Sequence, residues 1–360
     1  MNYIIDTDKR PLYLQIYKLI REDIINGVYP YNAKLPSKRF LSEELGISTI
    51  TIEHAYALLC DEGYIEARER SGFFVIFRKT DGFACSAETH IRRVLPIESN
   101  DSYPDFPFSI LSKTMRRVLS EYEKALLLRS PNAGCDELRE AIRNYLIRNR
   151  KMNVRRKQII IGSGAEYLYG LIIALLGSGR VFGIESPSYQ KIEQIYKTAG
   201  ARYELLPLTS DGIDSEALSK TKASVIHTTP YRSFPTGITA SANKRHEYIR
   251  WSSQNGRVII EDDFESEFSV SSKPEDTLFA LSDYDNVIYL NTFSKTITPA
   301  LRVGYMVLPL HLADEFEKKL GFYSCTVPTF EQFVIAELID SGDFERHINR
   351  VRRNLRKSRQ

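Results

Sequence analysis

Two folds follow one another in this sequence: a small winged helix-turn-helix of α+β type, then a large α/β domain with a mainly parallel sheet. Three observations predict them. Three short helical patterns followed by a β-rich pair fill residues 1–78. Apolar β-type runs alternate with helical stretches over 104–360, the pattern of a sheet covered by helices. Between the two, residues 79–103 lose periodicity and read as a linker, with Ser, Asn, Asp and Pro at its far end.

Size and composition permit this division. A chain of 360 residues has room for one small and one large domain. Its longest apolar stretch, around 168–176, is too short to span a bilayer, and its polar start shows no secretion signal, so no membrane partner is expected. Cys60, Cys85, Cys135 and Cys325 fit no motif, so neither a metal nor a disulfide framework is expected. A reducing cytoplasm is the simplest home. Charge gives no support for nucleic-acid binding: residues 1–80 hold 11 Lys and Arg against 11 Asp and Glu. The tail 346–360 holds seven Lys and Arg and no acid, more than the net charge of +3 for the whole chain. That tail reads as a solvated helix face or an additional phosphate contact.

In the first domain Pro11 opens a helical pattern with Ile16, Leu19, Ile20 and Ile24 on one face, ending near Gly27. Ser37 is a good N-cap for a short helix carrying Phe40, Leu41 and Leu45, which Gly46 breaks. Ser48 caps a third helix with Ile52, Ala55, Tyr56 and Leu59 inward, stopped at Gly63. Two β-type runs, 64–67 and 73–77, join through a turn around Arg70-Ser71-Gly72. Helix, helix, tight turn, helix and hairpin is the layout of a winged helix-turn-helix.

The wording goes further than the layout. Pro11-Leu12-Tyr13-x-Gln15-Ile16-Tyr17, Leu35-Pro36-Ser37-x-Arg39-x-Leu41, Leu45-Gly46-Ile47-Ser48-x-x-Thr51 and Glu62-Gly63-Tyr64-Ile65 resemble the GntR family of bacterial repressors over residues 11–76. The resemblance implies double-stranded operator DNA as partner. The first turn of the third helix, with Ser48, Thr49, Thr51 and His54, would face the major groove. Arg39 and the wing tip at Gly72 would sit on the phosphate backbone. Many relatives carry Arg where this chain has Thr49, so operator preference does not transfer.

In the second domain β-type runs are expected at 158–161, 180–184, 223–227, 257–260 and 286–290. Polar clusters come just after several of them, where open α/β sheets bind ligands. The first run enters Gly162-Ser163-Gly164-Ala165-Glu166 and a helix, whose free N–H groups suit a phosphate or are merely a structural turn. Glu166 would repel a phosphate unless its side chain points away, so main-chain contact is expected there. The fourth run ends in Glu261-Asp262-Asp263-Phe264-Glu265-Ser266-Glu267-Phe268. Acidic strand ends bind metals, cap helices, or pair with a protonated pyridine ring. Tyr189, in Glu185-Ser186-Pro187-Ser188-Tyr189, is a core residue or a ring that stacks on a cofactor.

The fifth run leads into Asn291-Thr292-Phe293-Ser294-Lys295-Thr296-Ile297-Thr298-Pro299-Ala300-Leu301-Arg302. A Lys in a small-polar loop with an Arg seven residues later suits an imine with an aldehyde cofactor and a phosphate held by hydroxyls and a guanidinium. The segment resembles the pyridoxal 5'-phosphate (PLP) lysine segment of fold-type I aminotransferases. That resemblance assigns Lys295 as Schiff-base lysine, Asp262 as partner of the ring nitrogen and Tyr189 as stacking ring. Gly164, Ala165, Glu166, Thr292, Ser294 and Arg302 would form the phosphate cup.

A GntR-type winged helix followed by an aminotransferase-like domain resembles the MocR/GabR-type subgroup, with Pro131-Asn132-x-Gly134-x-x-x-Leu138-Arg139 and Phe234-Pro235-Thr236-Gly237 as further matches. The resemblance implies a PLP-dependent, ligand-responsive transcription regulator that is a homodimer. In it a small amine or amino-acid effector displaces Lys295, forms an external aldimine, and shifts the winged helices on two half-sites. Three departures bear on catalysis. Aminotransferases have Asn where this chain has Phe234, and a Tyr near the position of Phe264 or Glu265. Relatives also continue into a small C-terminal domain with a carboxylate-binding Arg, of which most is expected to be lacking here. The alternatives are an active aminotransferase with an appended DNA-binding domain, and a repressor whose large domain only dimerises.

Overall fold

Pro11 precedes the first helix, where its missing N–H costs nothing. This helix, α1 (Leu12–Ile25), buries Ile16, Ile20 and Ile24 at four-residue spacing. In the computed structural model, residues 11–69, 71–78, 106–254, 256–269 and 276–357 are described, together with Tyr3 and Ile5. The expected linker over 79–103, Arg70 of the wing turn, and 358–360 of the basic tail lie outside the described residues.

Helix α2 (Lys38–Leu45) starts where Ser37 Oγ accepts the Phe40 N–H at 3.1 Å and stops at Gly46, whose φ of 63° is left-handed. Of Phe40, Leu41 and Leu45 only Leu41 is buried; Phe40 is 57% exposed. Helix α3 (Thr49–Asp61) is capped by Ser48 Oγ, and Ile52, Ala55, Tyr56 and Leu59 are all fully buried. The Tyr56 hydroxyl donates to the Pro36 carbonyl at 2.9 Å, tying α3 to the segment before α2. Strands β1 (Ile65–Arg68) and β2 (Gly72–Val75) pair antiparallel, with Arg68 opposite Gly72. The result is the winged helix-turn-helix expected from the sequence.

By its contacts the chain divides into units Met1–Ile97 and Glu98–Gln360. The second holds one eight-stranded sheet: β3 (Ile159–Gly162), β4 (Val181–Ser186), β5 (Arg202–Thr209), β6 (Gly212–Ile213), β7 (Val225–Thr228), β8 (Val258–Asp262), β9 (Val287–Thr292) and β10 (Gly304–Val307). Their order is β3-β10-β9-β8-β7-β4-β5-β6. Five of these strands match the expected runs, each starting one or two residues later. Three were not anticipated. β5 and β6 form an antiparallel edge, and β10 runs antiparallel between β9 and β3.

Side chains alternate between the two faces of the sheet, as a strand's period of two requires. Ile159, Ile161, Tyr289 and Tyr305 face the helices Asp136–Arg150, Thr329–Asp340 and Asp343–Lys357. Ile160, Ile288, Leu290 and Met306 face the helices Ala165–Leu176 and Leu310–Leu320. Both faces are covered, so the central strands read as unbroken apolar runs. Six strands point the same way, and five of them end at Gly162, Ser186, Thr228, Asp262 and Thr292, which gathers the polar clusters on one edge of the sheet.

Candidate functional site

At the end of β3 the chain turns through Gly164, with φ at 91°, into the helix Ala165–Leu176. A Cβ at Gly164 would lie 3.2 Å from Arg302 Nη2, so the guanidinium rests against the turn. Arg302 itself has a left-handed φ of 50°, just after the short helical turn Pro299–Leu301. Its Nη2 donates to Glu166 Oε2 at 3.0 Å, while Lys191 Nζ donates to Glu166 Oε1 at 2.6 Å. The hydrogen bond from Lys191, ahead of the nearby charges of Lys191 and Arg302, holds the Glu166 carboxyl below the usual carboxylate range. The side chain of Glu166 therefore does not point away from the turn. It sits between both cations.

Asp262, the last residue of β8, is buried. Its Oδ2 accepts the hydroxyl of Tyr169, one turn into the helix that starts at Ala165, and lies 3.5 Å from His227 Nε2 near the end of β7. His227 Nδ1 in turn meets the Tyr196 hydroxyl at 3.1 Å. Burial, then the Asp262 charge, push the Tyr169 hydroxyl far above its ordinary pKa, so it stays a donor. Asp262 Oδ1 is buried with no hydrogen-bond partner among the described residues. A carboxylate oxygen so placed has room in its chemistry for a charged N–H donor.

Lys295 follows β9. Its Nζ lies 3.2 Å from Glu265 Oε2 and 4.5 Å from the centre of the Phe264 ring. Arg232 approaches the other Glu265 oxygen at 3.5 Å. Thr292 and Thr296 are buried, and Thr296 Oγ1 has no partner among the described residues; Ser294 is half-buried. Tyr189 is 37% exposed and meets Phe234 edge to face at 6.2 Å, while Lys191 lies 5.8 Å from the Tyr189 ring centre. Tyr189 is therefore not a core residue.

Under this edge lies a buried polar shelf. Arg150 Nη2 reaches Asp263 Oδ2 at 3.0 Å, Glu267 Oε1 at 3.4 Å and the Ser266 hydroxyl. The Tyr289 hydroxyl donates to Asp263 at 2.8 Å, and the Asn291 amide to Glu267 at 2.7 Å. The shelf fixes both ends of the segment from which Glu265 faces Lys295. Next to it, Glu261 accepts the N–H groups of Leu278 and Phe279; burial, followed by the Asp263 charge, pushes it up to about 8.

Several of the expected residues are linked through neighbours. Arg302, Gly164 and Glu166 adjoin, Lys191 connects Glu166 to Tyr189, Tyr169 connects the same helix to Asp262, and Glu265 connects the β8 exit to Lys295. Tyr169, His227, Lys191 and Arg150 were missed in the sequence. A Tyr inside the apolar run 168–176 and a His closing a strand were the available signals.

On the first unit, Arg39, Ser48, Thr49, His54 and Gly72 are exposed and Thr51 is half-buried. The Thr49 hydroxyl donates to Ser42 Oγ at 3.2 Å, linking the start of α3 to the second half of α2. His54 lies edge-on to Tyr13 at 5.9 Å. Lys34, also missed, lies beside the wing, since a Cβ at Gly72 would be 3.2 Å from its Cε. Ile50 in the first turn of α3 is 65% exposed.

No group of three or more His, Cys, Asp or Glu able to hold a metal occurs among the described residues, and no helix of them is long and apolar enough to cross a membrane. Comparison with known proteins gives two family matches. Residues 102–360 match aminotransferase class I and II, and residues 12–75 match bacterial regulatory proteins, gntR family. The chain is 32% identical to an uncharacterized HTH-type transcriptional regulator of Bacillus subtilis, YdeL, over 97% of this chain and 78% of that protein. It is 27% identical to the probable rhizopine catabolism regulatory protein MocR of Rhizobium meliloti, over 95% of this chain and 74% of that one. Against the HTH-type pyridoxine biosynthesis transcriptional regulator PdxR of Corynebacterium glutamicum the identity is 27%, over 96% and 76%. Among solved structures, a Pyrococcus horikoshii kynurenine aminotransferase in complex with PMP superposes with a TM-score of 0.64 at 27% identity, over 70% of this chain and 66% of that enzyme. The α-aminoadipate aminotransferase LysN of Thermus thermophilus, complexed with N-(5'-phosphopyridoxyl)-L-leucine, gives 0.62 at 27%, over the same shares.

Proposed function

Because the chain belongs to the gntR family of bacterial regulatory proteins, in the MocR/GabR-type subgroup that joins a winged helix-turn-helix to an aminotransferase-like domain, we propose that it is a PLP-dependent, ligand-responsive transcription regulator. The observation that carries the cofactor reading is the buried, unpartnered Oδ1 of Asp262 on the edge where Lys295 leaves β9. The residues present fit PLP: Lys295 for its aldehyde, Asp262 Oδ1 for its ring nitrogen, Tyr189 for its ring face. Main-chain N–H groups of Gly164, Ala165 and Glu166, with Thr292, Ser294 and Arg302, would hold its phosphate. When bound, PLP supplies an aldehyde carbon that an amine can occupy and a protonated ring that draws electrons from it.

The chain's own residues explain how the site would respond to an amine or amino-acid effector. Tyr169 donates to Asp262 Oδ2 and leaves Oδ1 without a partner among the described residues. Glu265 keeps a carboxylate beside the Lys295 amine, so the ammonium released when an effector takes its place has a partner. Phe264 covers the same amine with a ring face where an aminotransferase has a hydroxyl nearby. Effector binding then changes affinity for operator DNA, because a ligand that favours one arrangement of the protein shifts the population toward it. The exposed apolar residues Leu127, Leu128 and Phe322 support a homodimer of the large unit, and a DNA-binding regulator is expected in the cytoplasm.

PLP added to the purified protein should give visible imine absorbance, absent in Lys295→Ala. Fluorescence anisotropy with operator DNA should then change when an amine effector is added to the loaded protein. A preparation that stays colourless with PLP would end the cofactor reading.

A further inference from the structure

We propose that Glu166 sets the affinity of this site for phosphate-bearing ligands, holding Arg302 and Lys191 until an incoming phosphate displaces its carboxylate, and that Lys191 is a second cation of the phosphate cup. The inference rests on the PLP reading above and adds a residue of opposite sign to it.

The contacts place Glu166 between two cations. One Glu166 oxygen takes Lys191 at 2.6 Å and the other takes Arg302 at 3.0 Å, while Arg302 also rests against the Gly164 turn. Glu166 lies in the first turn of the helix Ala165–Leu176, where free N–H groups and the helix dipole favour an anion. The helix end therefore carries an anion of its own. Lys191, in the first turn of the helix Gln190–Thr198, brings its charge to the same point from the Tyr189 side. The carboxyl of Glu166 lies below the usual carboxylate range, so it is ionised at neutral pH when a phosphate dianion arrives. The buried, unpartnered Asp262 Oδ1 is an independent sign of a ligand at this end of the sheet, and Tyr169, bound to the other Asp262 oxygen, ties it to the helix that bears Glu166.

A phosphate entering the cup must take Arg302 and Lys191 from the carboxylate and then sit beside it. Both cations and the carboxylate are partly exposed, which limits the effect of one charge to roughly tenfold in affinity. Replacement by Gln keeps the shape and removes the competition.

The test compares wild type, Glu166→Gln and Lys191→Gln as full-length chains, each titrated with PLP and with pyridoxal, which has the aldehyde and no phosphate. Thermal stabilisation by inorganic phosphate is measured alongside. Glu166→Gln should bind PLP about tenfold more tightly with pyridoxal unchanged, and should gain more stabilisation from inorganic phosphate. Lys191→Gln should lose PLP affinity and leave pyridoxal unaffected. Equal PLP affinity in wild type and Glu166→Gln, or the same gain for pyridoxal, overturns the inference and leaves the cofactor reading intact. Absence of imine absorbance in all three proteins, with the phosphate effect of Glu166→Gln retained, overturns the cofactor reading instead. Loss of both signals overturns both.

Discussion

Replacing Arg150 by Met should destabilise the large unit severely, and more at alkaline than at acid pH. The Arg150 side chain is 3% exposed and its two partners, Asp263 and Glu267, are 0% and 3% exposed, at 3.0 and 3.4 Å. Met keeps much of the aliphatic stem and removes the only cation among these three groups. Two buried carboxylates then face each other with Tyr289 and Asn291 as neutral donors. Breaking a buried pair from one side costs about 3–5 kcal/mol. For a unit of this size that lowers Tm by roughly 10 °C. Burial, partly offset by Arg150, already raises Glu267 above the usual carboxylate range, and without Arg150 it rises further. A carboxyl whose folded pKa is raised binds its proton more readily in the folded state, so the variant regains stability as pH falls and loses it as pH rises. Circular dichroism melts at about pH 5 and about pH 8 read both effects. A deficit below about 1 kcal/mol, or one equal at both pH values, would refute the claim that this cation neutralises the shelf. Arg150→Met combined with Asp263→Asn and Glu267→Gln should recover most of the loss.

His347 gives a second pH signature. Burial, with the adjacent Arg350 charge, lowers its pKa to about 4, so folding holds it neutral. Its contribution is present above the unfolded value of about 6.5 and is lost as pH falls toward about 4, reaching at most about 3 kcal/mol. Urea unfolding of His347→Phe should show a flatter decline over that window, and an unchanged slope would remove the assignment. On the DNA side, Arg39→Ala should weaken binding about equally across sequences and reduce the salt slope by about 1, which anisotropy at several salt concentrations measures. A change in sequence preference would instead place Arg39 at a base edge.

The fold was legible wherever burial made the pattern continuous. β3, β7, β8 and β9 are apolar because both faces are covered, and α1 and α3 keep a helical period because each buries one face. β5 was missed for the opposite reason: Arg202–Thr209 lies near the sheet edge, is mostly exposed or half-buried, and contains Pro207. β10 was hidden inside the motif that carries Lys295 and Arg302, since only four residues separate the loop from the next turn. At the site, Asp262 and Lys295 could be found because they stand at strand ends. Tyr169 and Arg150 could not, because their partners lie 93 and 113 residues away and local spacing carries no trace of such pairs. Glu166 was recognised as a misfit beside a phosphate, and the two cations that answer it were legible only in three dimensions.

The position of β10 has a consequence for synthesis on the ribosome. β3 reaches the rest of the sheet only through β10, which is made more than 140 residues later. Until Val307 has left the exit tunnel, the glycine turn that begins at Gly162 has no finished wall to lean on, and Ile159–Gly162 must wait unpaired on that side. Nascent chains stalled before this point should be open to proteases near β3, and chains stalled well after it should resist them. The site proposed for PLP would be complete only in the second group.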